Sequence, residues 1–298
     1  MNFRAITLQD KELFKKYAVP EGYYGCNLDF TTLFLWNIQE GTTVFEDAAA
    51  IYVEAKFFRH IIFFPPLMKT QGADMTGAVE KMYEYSRGKG QRFILRAMSK
   101  DMLSRIDKDF LNRFEVIEDR NNFDYIYRAD DLITLSGKAF HGKRNHIHQF
   151  ENSCKFDFRP YTPADCRGVM ALYDEWASYQ IDIKGVTAEK LAVQSALLNL
   201  DALSMRGGII VIDNAVRAFA FASKSYNDMA IVHFEKADIN YKGIYSAINN
   251  YFAKNYLNDV SFINRQEDMG KENLRKSKLS YNPILFAEKY ILTERGVF

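Results

Sequence analysis

Apolar and polar positions fall into two successive series of strand-like and helix-like segments. In the first, Phe3–Ile6 reads as a strand, and Leu8–Ala18 as a helix that turns Leu8, Leu13, Phe14 and Tyr17 to one face. Leu28–Trp36 is an aromatic-rich helix, followed by strand-like runs at Thr42–Glu46, Ala49–Phe57 and Arg59–Phe64. Pro65-Pro66 stops the last of these, because proline donates no ladder hydrogen bond. Between Gly72 and Gly90, Val79, Met82 and Tyr83 mark a helix that Gly88 and Gly90 end. Arg92–Arg96 reads as a strand and Lys100–Ile106 as a short helix, while Phe114–Glu118 and Phe123–Tyr127 are predicted to pair as a hairpin.

The second series repeats this order. Phe156–Pro160 is strand-like, and Thr162-Pro163 supplies an N-cap and a first-turn proline for a helix with the stripe Val169, Leu172, Tyr173, Trp176 and Tyr179. A helix from Thr187 to about Met205 precedes strands at Ile209–Ile212, Arg217–Ser225 and Met229–Lys236. Then come a helix from Gly243 to about Asn255, a strand at Val260–Arg265, a short helix over about Gly270–Leu279 and a final strand at Ile284–Leu292. Two halves with one order predict an internal duplication. An antiparallel meander before a strand–helix–strand crossover is the order of the GNAT (acyl-CoA N-acyltransferase) fold. The expected class is therefore α/β (α+β): two tandem GNAT-like domains, residues 1–134 and 135–298, each a mixed sheet flanked by helices. The first lacks a comparable polar block and is expected to be structural.

Composition narrows the function classes. A chain of 298 residues, 48% apolar and 26% charged, is that of a globular protein too long for one typical core. The net charge of +1 gives no global field toward nucleic acid or membranes, so anion binding must come from local patches. No apolar run is long enough to span a bilayer, and the start of the chain lacks a signal-peptide pattern, which together predict a cytoplasmic protein. The three cysteines, Cys26, Cys154 and Cys166, are odd in number and far apart, as expected in a reducing compartment without a disulfide framework. There is no Gly-Lys-Ser/Thr phosphate loop, dinucleotide fingerprint or Ser-His-Asp arrangement.

Three blocks concentrate candidate chemistry. On the strand Met229–Lys236, strict alternation would put Ile231, His233 and Glu235 on one face, with Asp238, Tyr241 and Gly243 in the turn that opens the next helix. Free N–H groups at a helix start suit a phosphate or carboxylate, but a single glycine is a weak form of that signal, and a capped helix start explains it equally well. Asn264, Arg265, Glu267 and Asp268 follow a buried strand, and Lys271, Arg275 and Lys278 form one stripe on the next helix, ahead of Tyr281. Desolvating such groups costs several kcal/mol unless each is paired, so folding alone does not account for them. Lys271 and Lys276 suit a solvated face; Arg265, Arg275 and Tyr281 flank apolar residues and suit a cleft. Finally, His141, Arg144, Asn145 and His148 crowd one stretch. Interleaved Lys143 and Arg144 would repel a metal ion and no zinc spacing is present, so no metal is expected; a basic helix on a polyanion and a solvated connector are weighed evenly.

The blocks Leu135-Ser136-Gly137, His141-Gly142-Lys143-Arg144-Asn145-His146, His233-Phe234-Glu235-Lys236-Ala237-Asp238, Gly243-Ile244-Tyr245, Ile248-Asn249, Asn264 to Gly270, Leu274 to Lys278 and Ser280 to Pro283 resemble a bacterial family grouped with the C-terminal domain of phosphatidylglycerol lysyltransferases. The resemblance implies a tandem GNAT-like fold. Relatives of that type move an aminoacyl group from charged tRNA to a lipid headgroup, and Fem-type relatives add amino acids to peptidoglycan precursors. The lysyltransferases also carry a multi-span membrane domain, which this sequence lacks. The implied activity is acyl or aminoacyl transfer to an amine or hydroxyl, with no permanently bound cofactor. Acyl-CoA or aminoacyl-tRNA is the expected donor and a small molecule or lipid headgroup the acceptor; tRNA is a candidate partner. In that fold the cleft lies where the fourth and fifth strands splay, which places Glu235 or Asp238 as base, Asn264 or the backbone of the fourth strand at the oxyanion, and Arg144, Arg265 and Arg275 on donor phosphates. His141, Asn145, His233, Tyr241, Gly243, Glu267, Lys278 and Tyr281 are expected to contact donor or acceptor. The alternative is a non-catalytic GNAT-like protein that binds aminoacyl-tRNA or an anionic metabolite.

Overall fold

A computed structural model describes residues 1–296 other than 18, 20, 21, 58, 59 and 71; the expected element limits at Ala18 and Arg59 lie outside the described residues. The strands are β1 (Arg4–Ala5), β2 (Thr43–Glu46), β3 (Ala50–Phe57), β4 (His60–Phe63), β5 (Leu67–Met68), β6 (Ile94–Met98), β7 (Phe114–Glu118), β8 (Asp124–Arg128), β9 (Asp157–Pro160), β10 (Met205–Ile212), β11 (Ala215–Lys224), β12 (Met229–Ala237), β13 (Phe262–Asn264), β14 (Leu285–Ala287) and β15 (Tyr290–Glu294). The helices are α1 (Asp10–Phe14), α2 (Phe30–Glu40), α3 (Met75–Gly88), α4 (Lys100–Ser104), α5 (Lys108–Leu111), α6 (Ala129–Thr134), α7 (His141–Ser153), α8 (Cys166–Ser178), α9 (Ile183–Leu198), α10 (Ile244–Tyr256) and α11 (Glu272–Leu279).

Two mixed sheets result. One has the order β1-β2-β3-β4-β6-β15-β7, with β5 on β3; the other has the order β14-β8-β13-β12-β11-β10-β9. Each contains an antiparallel meander and a parallel pair, β4 with β6 and β12 with β13. Each also takes a strand from the other half of the chain: β15 lies between β6 and β7, and β8 between β13 and β14. The hairpin expected from residues 114–127 is therefore absent. β7 pairs with β15, and β8 pairs with β13. Asp124, Tyr125, Ile126 and Tyr127 are all buried, so β8 has no solvent face and requires neighbours on both edges. The single closing strand expected at Ile284–Leu292 likewise divides into β14 and β15, in different sheets.

The compact units follow this exchange. One comprises Met1–Asp124, Glu267–Gly270 and Ala287–Phe298; the other Tyr125–Gln266 and Lys271–Phe286. The division expected at residues 134 and 135 is continuous along the chain, whereas these units are not.

In the second unit, local chemistry sets the helix limits. The carboxylate of Asp182 accepts from Gly185 N at 3.0 Å, so α9 starts at Ile183 rather than at Thr187. Thr162 and Asp165 form a capping box before α8. Val169, Leu172 and Tyr173 are buried on α8 as expected, but Tyr179 falls past its end and is 61% exposed. Ala247, Ile248 and Phe252 of α10 bury against Ala220, Ala222, Ala230 and Val232 of the sheet. Small residues on the strands let the helix approach closely.

The first unit holds a buried polar cluster. The ammonium of Lys289, 3% exposed, lies 2.6 Å from the carboxylate of Asp124, which is fully buried. The other Asp124 oxygen accepts from Cys26 N at 2.7 Å, and Glu267 lies 3.9 Å from the same ammonium. Cys26, Asp124 and Glu267 have metal-ligand character and converge, but the Lys289 ammonium already supplies their positive charge. Burial, then Asp124, pushes the Cys26 thiol well up, so it is not a reactive thiolate. Burial, then Glu267, pushes the Glu40 carboxyl up to about 7. All three cysteines are free, with Cys154 and Cys166 only half-buried. Among the described residues, no helix is long and apolar enough to cross a membrane.

Candidate active site

The central feature of the second sheet is a splay. β12 and β13 pair only from Met229 to Ile231 and Phe262 to Asn264, after which β12 continues to Ala237 without β13 beside it. β13 ends because Asn264 Oδ1 accepts from Gln266 N at 2.6 Å, closing a turn in which Gln266 has φ 56°. Arg265 N still donates to Tyr125 O of β8 at 3.0 Å, which anchors the residue beside the splay.

Glu235 and Arg265 meet there. Arg265 Nη2 donates to Glu235 Oε1 at 2.8 Å, and the two side chains are 11% and 12% exposed. Asn249 Nδ2 of α10 donates to Glu235 Oε2 at 2.9 Å. The guanidinium lies over the rings of Tyr281, 4.7 Å from its centroid, and Tyr127. The Lys143 ammonium lies 3.8 Å from the Tyr281 centroid. Burial, then Arg265, lowers Lys143 to about 8, with Glu235 opposing. Burial pushes the Tyr281 hydroxyl up. Two atoms of the cluster, Arg265 Nη1 and Asn249 Oδ1, are buried with no hydrogen-bond partner. Two cations thus share one carboxylate, each of whose oxygens already accepts one hydrogen bond.

The other sequence candidates sit elsewhere. The register of β12 against β11 shifts between Phe221 and Ala222, which face Phe234 and Val232; His233 is the extra residue of a bulge. Alternation therefore resets, and His233 and Glu235 are not on one regular face. His233 Nε2 is 2.8 Å from Ser223 Oγ, its Nδ1 is buried without a partner, and burial lowers its pKa to about 3. The sign of the linkage follows. The unfolded chain takes up a proton on this imidazole as pH falls below about 6.5, while the folded protein resists until about 3, so stability declines with acid across that interval. His233→Asn is expected to flatten this limb in urea unfolding curves collected over pH; an unchanged slope would show that another group carries it.

Asp238 spends one oxygen on Arg217 at 3.2 Å and the other on Asn240 N and Nδ2, in a turn. Tyr241 packs by Arg217. Gly243 has φ 91°, and a Cβ there would lie 2.0 Å from His146 O, so close packing of α10 on α7 requires glycine. Ile244 N and Ser246 N at this helix start already bond to Tyr241 O and Gly243 O, which leaves less of a phosphate cradle than expected. Arg144 donates to Leu135 O and Gly137 O and ties down the chain between α6 and α7. His141 and Asn145 are exposed and bonded to each other at 3.0 Å. Lys278, expected on a basic stripe and in contact with donor or acceptor, is buried and donates to Arg265 O and Gln266 O. Lys276 is a surface charge paired with Glu272. Arg275 is half-buried on α11, and Glu267 belongs to the first unit.

The structure thus brings Glu235, Arg265 and Tyr281 together and adds Lys143 and Asn249, which lie in the resembling blocks but carried no expected role in the site. Their signal was helical spacing. Lys143, Ile147 and Phe150 lie four and three apart on α7, and the last two are buried. Asn249 lies on α10 between buried Ser246 and buried Ala253.

The model of the family described as "Phosphatidylglycerol lysyltransferase, C-terminal" matches residues 21–293. The chain belongs to this family. As a member of the phosphatidylglycerol lysyltransferase C-terminal family, it is 30% identical to a conserved protein of unknown function from Bacteroides thetaiotaomicron VPI-5482, whose crystal structure superposes with a TM-score of 0.90 over 98% of this chain and 99% of that one. It is also similar to L-PGS from Bacillus licheniformis, at 13% identity and a TM-score of 0.63 over 90% of this chain and 92% of that one. A tandem GNAT protein from the clavulanic acid biosynthesis pathway matches at 9% identity and a TM-score of 0.52, over 100% of this chain and 99% of that one. The last two establish the tandem GNAT-like fold of this family member.

Proposed function

We propose that the protein is a transferase that moves an activated acyl or aminoacyl group to an amine or hydroxyl acceptor, in the splay between β12 and β13. The observation that carries this reading is the buried Arg265 guanidinium, which has one unpartnered N–H group beside a second cation, Lys143. In acyl transfer the donor's carbonyl oxygen gains negative charge, and fixed cations aimed at that oxygen in a dry site are the principal means of stabilising it. Glu235 has both oxygens engaged and therefore serves to orient Arg265 and Asn249 rather than to take a proton. Asn249 Oδ1 is an acceptor suited to the N–H or O–H of the incoming nucleophile. With its pKa lowered to about 8, Lys143 is neutral in a fraction of the molecules near neutral pH; that form takes the proton lost by the acceptor and then stands as an ammonium beside the charged oxygen.

The bonded start of α10 favours aminoacyl-tRNA over acyl-CoA as donor. The family supports a small molecule or lipid headgroup as acceptor, and a charged-tRNA donor would place the work in the cytoplasm. The rival is a binding protein without chemistry. Acetyl-CoA and lysyl-tRNA, each offered with candidate amines and with phosphatidylglycerol, are expected to yield product by mass spectrometry with one donor. Binding of a donor with no product from any acceptor would favour the rival.

A further inference from the structure

We propose that the corner formed by Lys143, Arg265 and Tyr281 binds an oxyanion, a carboxylate or phosphate group borne by a substrate. Glu235 is the only carboxylate in this corner among the described residues, and its oxygens are taken by Arg265 Nη2 and Asn249 Nδ2. Glu235 acts on Lys143 only through its charge, and the ammonium meets the face of the Tyr281 ring. Arg265 Nη1 is buried without a hydrogen-bond partner, on a guanidinium that lies against Tyr281, and this costs about 1–3 kcal/mol unless a water or a ligand supplies an acceptor. An oxyanion reached by both cations satisfies one of the two Nη1 hydrogens, leaves the other for the donor's carbonyl oxygen, and gives Lys143 a counter-charge. Asn249 Oδ1, the orphan acceptor on the same network, extends the requirement: the group next to the anion carries an N–H or O–H. The ligand class is therefore an amino or hydroxy carboxylate, or a phosphate with a neighbouring hydroxyl. Lys143 is only half-buried, which leaves an approach from solvent.

Calling the ligand a substrate rests on the transferase reading; the binding site itself does not. Sulfate is the probe of choice because it stays a dianion across neutral and alkaline pH. The groups facing Lys143 are Arg265 after β13, Glu235 on β12 and Tyr281 after α11; Arg265 and Tyr281 have raised pKa values, and Arg144 on its own helix is engaged with carbonyls. Lys143 is thus the group that loses charge near 8, and sulfate affinity should fall as pH rises through that value.

Calorimetric titration of the full chain with sulfate is expected to show binding that weakens about tenfold or more in Lys143→Gln, the effect of losing one charge-assisted hydrogen bond. The pH dependence should vanish in that variant, while Lys184→Gln, at an exposed position on α9, should behave as wild type. Competition by acetate or by methyl phosphate then assigns the carboxylate or the phosphate class. Equal sulfate affinity in wild type and Lys143→Gln, or no binding in either, would overturn the site. Binding without transfer would leave the site standing and remove the transferase reading, and transfer without sulfate binding would do the reverse.

Discussion

Asp124→Asn is expected to destabilise the protein by about 3–5 kcal/mol, because it leaves the Lys289 ammonium buried without its principal counter-charge. An asparagine oxygen can accept from Cys26 N or from Lys289, not from both as the carboxylate does. Its amide hydrogens must then face a donor. Glu267, at 3.9 Å, offsets only part of the loss. Burial alone would lower the Lys289 pKa; Asp124, then Cys26, Glu267 and Tyr23, together more than reverse this. The measurement is urea unfolding of wild type, Asp124→Asn, Lys289→Met and the double variant. The double variant should be more stable than Asp124→Asn, since it removes the unpaired charge as well. A cost within about 1 kcal/mol for Asp124→Asn, typical of an exposed pair, would show that water reaches this cluster.

Glu235→Gln is expected to reduce transfer by about a hundredfold or more and to cost about 3–5 kcal/mol of stability. Both effects have one cause. The carboxylate holds the guanidinium with Oε1 and the Asn249 amide with Oε2, and without it Arg265 is a buried charge facing Lys143. Loss of activity could then reflect unfolding alone. The double variant Glu235→Gln with Arg265→Met separates the two, because it removes both charges and should recover most of the stability while transfer stays lost. Assay and urea unfolding on the same preparations read both quantities. Transfer that tracks stability and returns in the double variant would reduce the pair to a structural role.

The sequence exposed the two-series order of elements because apolar periodicity is local. Pairing between distant strands is not. Phe123–Tyr127 and the end of the chain look like ordinary closing strands, and only the burial of Asp124 to Tyr127, on both faces of β8, shows that it is central. The same exchange moved Glu267 out of the polar crowd in which the sequence placed it, since the chain enters the first unit at Glu267–Gly270. The bulge at His233 was illegible for another reason: Met229 to Phe234 are all buried, so neither phase of alternation stands out. Glu235 and Arg265 were legible as unexplained charges bordering buried strands. Lys143 was hidden among exposed basic neighbours, although its spacing to Ile147 and Phe150 put it on the buried face. Lys278 misled in the opposite sense, as a stripe cation that turns inward to two backbone carbonyls.

The most direct test of the unit-two cluster as the centre of transfer is a single assay: product formed from aminoacyl-tRNA or acyl-CoA by wild type and by the folded Glu235→Gln/Arg265→Met double variant. The account predicts product from wild type and at least about a hundredfold less from the variant. Product at the wild-type rate from a variant that lacks both charges would contradict it.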